Sequence, residues 1–169
     1  IYGLNILGDI YRSFELAEKY GVSFIQIDSV CGHLEPDLDE EYESMLKFLR
    51  RNSDCAVLGG VRLKYQPVNS GRTLAEDLKI GMGRCDAVVC TGEGTGLATP
   101  MDKVEKFKQI LGDFPVIIGA GVTIDMVEAC RRNSDGVIVG SWFKDNHRAE
   151  YSVNEDNVKD FMLRWNAHT

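Results

Sequence analysis

Two short apolar runs of the chain, residues 116–118 and 137–139, each end at a glycine. The residues that follow them are Gly119, Gly121, Gly140 and Ser141. Glycine at the end of a strand lets backbone N–H groups approach a bound anion, since a Cβ would hold a phosphate away from them. The pattern therefore predicts one phosphate site made by these four residues, with two unrelated tight turns as the alternative.

Polar side chains stand at the ends of the other apolar runs. They are Asn5, Asp28, Lys64, Thr91 and Glu93. In a parallel barrel the carboxyl ends of the strands share one mouth, so these side chains would meet over a ligand. We expect Asp28 and Glu93 to act as acid and base and Lys64 to hold an anionic group, while Asn5 and Thr91 contact the substrate. The alternative is that Asp28 caps a loop, Glu93 is solvated and Lys64 lies along the rim.

The elements that would position these residues follow a simple alternation. Short β-branched runs lie at residues 3–6, 24–27, 56–63, 87–89, 116–118 and 136–139, with amphipathic helical patterns between them. Such alternation is the signature of βα units and a buried parallel sheet. The residues at helix N-cap positions are Asp9, Thr73, Thr123 and Asn154. We predict a single domain over residues 1–169.

Two α/β architectures fit this order. A doubly wound parallel sheet suits the length, because a complete (β/α)8 barrel usually needs about 250 residues. The glycines favour the barrel, since barrels commonly assemble a phosphate site from the loops after their last two strands. The prediction is therefore a TIM-barrel-like α/β fold truncated to about six βα units.

Composition excludes several classes of function. The 169 residues are 44% hydrophobic and 27% charged, as in a globular domain, and the net charge of -7 comes without a cluster of Lys and Arg. A nucleic-acid polymer is therefore not an expected partner. No apolar stretch approaches the roughly 18 residues of a membrane span and no signal peptide opens the chain, so we predict a cytoplasmic protein. Scattered cysteines and histidines predict reduced thiols, no metal site and no cofactor.

Four segments match motifs of a known family. They are GLNIL at residues 3–7, DAVVCTGEGTG at 86–96, GAGVT at 119–123 and SDGVIVGSWFK at 134–144. In combination they resemble the BtpA/SgcQ family of TIM-barrel proteins over nearly the whole chain. The resemblance implies a phosphate-binding barrel of which the third to eighth strands are present. The first two βα units of the family would be missing.

A six-stranded remnant would expose unpaired backbone on the strands beside the gap. We therefore expect a longer polypeptide, a homo-oligomer or another partner that covers the open sheet edges.

Some positions depart from the family pattern. Where the family has an acid and two histidines, this chain has Gly60, Arg62 and Tyr65, and the usual asparagine is Asp28. The resemblance leaves two functions open. One is lyase, isomerase or nucleosidase-type chemistry on a phosphorylated small molecule, such as a sugar phosphate or nucleotide-like compound. The other is a non-catalytic role in the assembly or stability of another complex, since the resemblance includes photosystem I biogenesis.

Three further expectations concern loops and aromatic residues. The segment 65–72 is predicted to be a long loop at the mouth from which Arg72 reaches an anion. The acidic run from Glu35 to Glu43 is predicted to be a loop and a solvated helix start. Trp142 and Trp165 are predicted to be packing residues.

Overall fold

The computed structural model describes residues 1–94 and 96–167. Thr95, from the segment DAVVCTGEGTG at 86–96, and His168 lie outside the described residues. The strands are β1 (Gly3–Leu4), β2 (Phe24–Cys31), β3 (Ala56–Val61), β4 (Ala87–Cys90), β5 (Val116–Ile118) and β6 (Gly136–Val137). The helices are α1 (Ile10–Tyr20), α2 (Pro36–Arg51), α3 (Leu74–Met82), α4 (Met101–Leu111), α5 (Val127–Asn133) and α6 (Glu155–Asn166).

The strands stand in the sheet in the order of the sequence, from β1 to β6. The pairs β1–β2, β2–β3, β3–β4 and β5–β6 are parallel. A doubly wound sheet reverses its strand order at a switch point, whereas a (β/α)8 barrel keeps chain order. The prediction of a TIM-barrel-like fold with six βα units is confirmed.

Residue contacts divide the chain into two compact units. The first unit contains Ile1–Val89 with Ile110–Pro115, and the second contains Cys90–Gln109 with Val116–Thr169. In the first unit the apolar faces of the helices cover the sheet and bury Ile25, Val57 and Leu78. In the second unit the core includes Phe107 and Phe161. The predicted single domain stays a prediction.

Helix starts follow the predicted caps in three places out of four. The side chains of Asp9, Thr73 and Asn154 accept hydrogen bonds from first-turn N–H groups of α1, α3 and α6. Thr73 forms a capping box with Glu76, in which each residue's side chain bonds the other's backbone N–H. Thr123 does stand at the N-cap position, but of a 3-10 turn, Ile124–Met126, and its hydroxyl makes no capping bond. The hydroxyl of Thr123 is therefore available to other partners.

An aspartate just before a strand fixes the start of a neighbouring strand in each unit. Asp86 Oδ2 accepts a hydrogen bond from the Val57 N–H at 2.7 Å, and Asp135 Oδ2 accepts one from the Val116 N–H at 2.8 Å. Each carboxylate also pairs with a basic helix side chain, at 2.9 and 3.0 Å. We call this arrangement the aspartate clamp. It holds the register of β3 and β5 at their amino ends.

No helix within the described residues has the length and apolar character needed to cross a bilayer. The predicted location, and the predicted oligomer or covering partner, stay predictions.

Candidate functional site

In the first unit the structure brings Asn5 and Asp28 together. The Asn5 Nδ2 group donates to Asp28 Oδ1 at 3.1 Å. This orients a half-buried carboxylate that lies within β2, because the strand runs on to Cys31 and does not end at residue 27 as predicted. Asp28 lines a cavity of about 210 Å³. The other polar residues in its lining are Ser13, Gln26, Ser29, His33, Tyr42 and Gln66. The arrangement supplies one carboxylate, one imidazole and several amides and hydroxyls, which suits a polar ligand.

Lys64 follows β3 and lies outside the described lining of this cavity. Its Nζ stands 5.9 Å from the centroid of the Tyr65 ring. The backbone on either side is left-handed, with φ of 49° at Arg62 and 63° at Tyr65. Such angles are uncommon for residues with a side chain, so this turn is held by its surroundings. The role of Lys64 stays a prediction.

A close backbone contact explains why Gly60 stands where the family has an acid. The pairing of β2 with β3 shifts register between Ile27 and Cys31. In the same region the Asp28 carbonyl lies over Gly60, where an added Cβ would stand 2.1 Å from the carbonyl oxygen. No side chain fits at that distance. The departure at Gly60 is therefore built into the strand pairing.

A cluster of buried charges in the first unit corrects two predictions. Asp39, in the acidic run expected to be solvated, is 2% exposed and accepts from Arg84 Nη1 at 2.7 Å. Arg72, expected to reach an anion, instead donates to Asp39 Oδ2 at 2.8 Å. Burial alone would raise the pKa of Asp39, but the hydrogen bonds from Arg84 and Arg72 outweigh burial and hold that pKa below its ordinary value. We call this set the arginine cluster.

The arginine cluster extends to α3. Asp77 is fully buried and accepts from Arg62 Nε at 2.7 Å and from Ser70 Oγ at 3.0 Å. Arg62 also donates to the Arg72 carbonyl at 2.6 Å. Both Arg62 and Arg72 therefore fasten the loop between β3 and α3 to the protein interior.

In the second unit the two glycine-ended strands do meet. Gly121, Gly140 and Ser141 line one cavity of about 80 Å³. The other residues in its lining are Gly96, Val122, Thr123, Trp142 and His147. Gly119 is not in the described lining, and its N–H donates to the Cys90 carbonyl at 2.8 Å. We call this cavity the glycine cradle.

Packing requires glycine at one position of the cradle but not at another. Gly121 has a φ of 65°, and a Cβ there would lie 2.2 Å from the Leu97 carbonyl oxygen, so the fold itself requires glycine. At Gly140 an added Cβ would meet no described heavy atom within 4 Å. Packing therefore does not explain Gly140, which leaves open space at the cradle.

Thr91 and Glu93 occupy different environments after β4. Thr91 is 3% exposed and its carbonyl accepts from Lys103 Nζ at 2.7 Å, whereas Glu93 is exposed. The loop that follows is tied down by a residue that sequence reasoning missed. Thr99 Oγ1 accepts from the Gly92 N–H at 3.1 Å and donates to the Ala120 carbonyl at 2.9 Å. This hydroxyl holds the loop against the end of β5.

His147 is the other residue that the sequence did not single out. Its ring stacks on Trp142, with centroids 3.9 Å apart and planes 3° from parallel. Trp142 therefore faces the cradle, and the prediction of a pure packing role is incomplete. In the sequence, Asn146 is the one available sign of this turn, because asparagine tolerates the left-handed conformation that Asn146 and His147 both adopt.

The match to a family model settles the classification. The BtpA family model matches residues 1–167. This chain belongs to the BtpA family. An uncharacterised protein of Thermococcus kodakarensis is 29% identical over 166 residues, which cover 95% of this chain and 63% of that protein. The BtpA-family chain thus spans about 63% of the length of that curated relative.

Solved structures confirm the fold. N-(5'-phosphoribosyl)anthranilate isomerase from Pyrococcus furiosus aligns with a TM-score of 0.59 at 16% identity, covering 97% of the BtpA-family chain and 72% of the isomerase chain. A Schiff-base-forming fructose-1,6-bisphosphate aldolase aligns with a TM-score of 0.57 at 15% identity, covering 95% and 64% of the two chains. At these identities the likeness concerns the fold alone.

Proposed function

We propose that this BtpA-family chain binds a phosphorylated small molecule and that the glycine cradle holds the phosphoryl group. The observation that carries the proposal is Gly140, whose missing side chain leaves space at the cradle that packing does not require. The names of the two structural neighbours contain phosphorylated compounds, which agrees with the proposal but concerns those proteins.

The chemistry of the cradle supports an anion. The described lining contains no aspartate or glutamate, so no carboxylate of the lining itself repels a phosphate. The hydroxyls of Thr123 and Ser141 can donate to phosphate oxygens. Because Thr123 makes no capping bond, its hydroxyl is not committed to a helix start. Backbone and hydroxyl donors of this kind bind phosphate in many proteins.

For the reaction we propose acid/base chemistry of the lyase, isomerase or nucleosidase type. Asp28 is the central candidate, because it combines half-burial, a hydrogen bond from Asn5 and a place in a polar cavity. Lys64 is proposed to hold an anionic group and Glu93 to be the second acid or base. An Asp28→Asn variant is expected to keep phosphate binding and lose turnover of any substrate that the screen below identifies.

A non-catalytic role in assembling another complex is the second candidate, and specific contacts favour it. Gly60 has no room for an acid, and Arg62 is engaged by Asp77 at 2.7 Å. Family positions that could carry chemistry therefore serve the interior of the first unit here. The two candidates differ in whether a phosphorylated small molecule is recognised at all.

The deciding experiment is a thermal-shift screen with inorganic phosphate, sugar phosphates and nucleotides. A ligand present at about 100 times its dissociation constant stabilises the folded state by about 2.7 kcal/mol, which is easily detected as a rise in Tm. The test variant is Gly140→Asp, which places a carboxylate in the cradle without meeting a described neighbour at its Cβ. Gln109→Asp adds the same charge on the exposed face of α4 and is the matched control.

The proposal requires that Gly140→Asp loses the ligand-induced rise in Tm while the control keeps it. Gly121 is unsuitable for this purpose, since any substitution there disturbs the backbone packing at Leu97. Absence of stabilisation by every phosphorylated compound would contradict the proposal and favour the assembly role.

A further inference from the structure

His147 has a fixed orientation at the glycine cradle. The φ angles of Asn146 and His147 are 52° and 54°, a region that residues with side chains rarely adopt. This conformation lays the imidazole flat against the indole of Trp142 at 3.9 Å. The ring is therefore a built part of the cavity lining, although its outer surface is exposed.

The hydrogen bond of the ring determines which nitrogen carries a proton. His147 Nδ1 lies 2.9 Å from the Trp142 carbonyl oxygen. A carbonyl oxygen only accepts, so Nδ1 must donate and carries hydrogen in both charge states. The charge of the ring is consequently decided at Nε2. A neutral Nε2 presents a lone pair to an anion, whereas a protonated Nε2 donates a charge-assisted hydrogen bond.

The other residues of the described lining carry no charge. The charged groups of the same turn are engaged elsewhere. Lys144 Nζ donates to the Ala149 carbonyl at 2.8 Å, Asp145 Oδ1 accepts from Asn154 at 2.8 Å, and Arg148 pairs with Glu150 at 2.6 Å.

Charged residues on the neighbouring elements lie outside the described lining. They include exposed Asp125 in the turn after β5, exposed Glu93 in the loop after β4, and Glu155, Asp156, Lys159, Asp160 and Arg164 on α6. Within the described lining, His147 is therefore the residue whose side chain can take up a proton and become a cation.

We propose that anion binding in the glycine cradle is coupled to protonation of His147, so that the site takes up a doubly charged phosphoryl group together with one proton. The coupling rests on the proposed phosphate site and adds its protonation requirement. A bound dianion favours the imidazolium, and the face of Trp142 supports the same charge. For an anion that stays doubly charged, affinity therefore rises as the pH falls and the imidazole takes up its proton.

Sulfate is the probe for this coupling, because it stays doubly charged across the pH range in which histidine titrates. The chain has two tryptophans, so Trp142 fluorescence can be followed in a Trp165→Phe background. The dissociation constant for sulfate is expected to rise about tenfold between about pH 5.5 and 8, the size of one charge-assisted hydrogen bond.

Two histidine variants separate the coupling from other titrations. His147→Asn keeps a residue that tolerates the left-handed backbone and removes the titration, so the dependence on pH should flatten to less than about twofold. His33→Asn changes the histidine of the first unit and should leave the dependence intact. Isothermal titration of the unsubstituted protein, in two buffers of different ionisation enthalpy, should show net proton uptake near neutral pH.

The outcomes distinguish this coupling from the phosphate site itself. Saturable sulfate binding without proton uptake, or a dependence on pH that survives in His147→Asn, overturns the coupling and leaves the phosphate site standing. Absence of saturable binding of both sulfate and phosphate at every pH overturns the two proposals together.

Discussion

The Asp39→Asn substitution tests whether the arginine cluster holds the first unit together. Asp39 accepts three hydrogen bonds from two arginines, at 2.7 and 3.2 Å from Arg84 and at 2.8 Å from Arg72. Asp39 and Arg84 are 2% and 4% exposed, so solvent screens their attraction little. Breaking a buried pair by removing one charge costs about 3–5 kcal/mol, because the partner stays buried and uncompensated.

Urea unfolding followed by circular dichroism measures this cost. With a typical dependence of about 2 kcal/mol per molar urea, the midpoint should fall by about 1.5–2.5 M. The control is the double variant Asp39→Leu with Arg84→Met, which replaces the pair by apolar side chains. It should recover part of the loss, since the freed Glu43 and Arg72 are 34% and 25% exposed and can be hydrated.

Acid unfolding provides a second test of the arginine cluster. Burial opposes ionisation of Asp39, but the arginines outweigh burial and hold its folded-state pKa below the ordinary value. Its stabilisation is therefore fully present above the unfolded-state pKa and is lost as the pH falls through the lower folded-state pKa. The unfolding free energy should fall less steeply below about pH 4 in Asp39→Asn. A loss of unfolding free energy under about 1 kcal/mol in Asp39→Asn at neutral pH would refute the reasoning.

Three further predictions concern local structure. Gly60→Asp should destabilise the fold by more than about 3 kcal/mol in urea titration, since its Cβ would stand 2.1 Å from the Asp28 carbonyl oxygen; an unchanged midpoint would contradict this packing. Thr73→Ala should lower the unfolding free energy by about 1 kcal/mol through loss of the capping box, and Thr73→Ser should restore most of it. Burial raises the pKa of the Cys85 thiol to about 12. Cys85 should therefore resist a thiol reagent at pH 8 in the folded protein, while half-exposed Cys55 reacts. Fast labelling of Cys85 would contradict this expectation.

Sequence patterns predicted the elements but not all of their limits. The strand predicted at residues 3–6 is Gly3–Leu4, and the one predicted at 136–139 is Gly136–Val137. Both strands stand at an end of the sheet order and pair with one neighbour each. Apolar character marks a strand's burial, whereas its length depends on hydrogen bonds to neighbours, which the local pattern does not contain.

Short sequence motifs correctly predicted part of the candidate site. Gly121, Gly140 and Ser141 do line one cavity, and Asn5 does contact Asp28. The arginine cluster was missed because Asp39 and Arg84 are 45 residues apart in the chain. One signal was available, since Asp39 lies seven residues before buried Leu46 and so shares the inner face of α2.

The aspartate clamp fixes the chain length at the amino ends of β3 and β5. Asp86 and Asp135 bind backbone N–H groups where β3 and β5 begin, so lengthening the chain at those points would break both a hydrogen bond and an ion pair. At the opposite ends of these strands the anchors are loop side chains, Arg62 on Asp77 after β3 and Thr99 on the Ala120 carbonyl after β5. A protein engineer who grafts new recognition loops after these strands should therefore leave the two aspartates untouched and supply new anchors in place of Arg62 and Thr99.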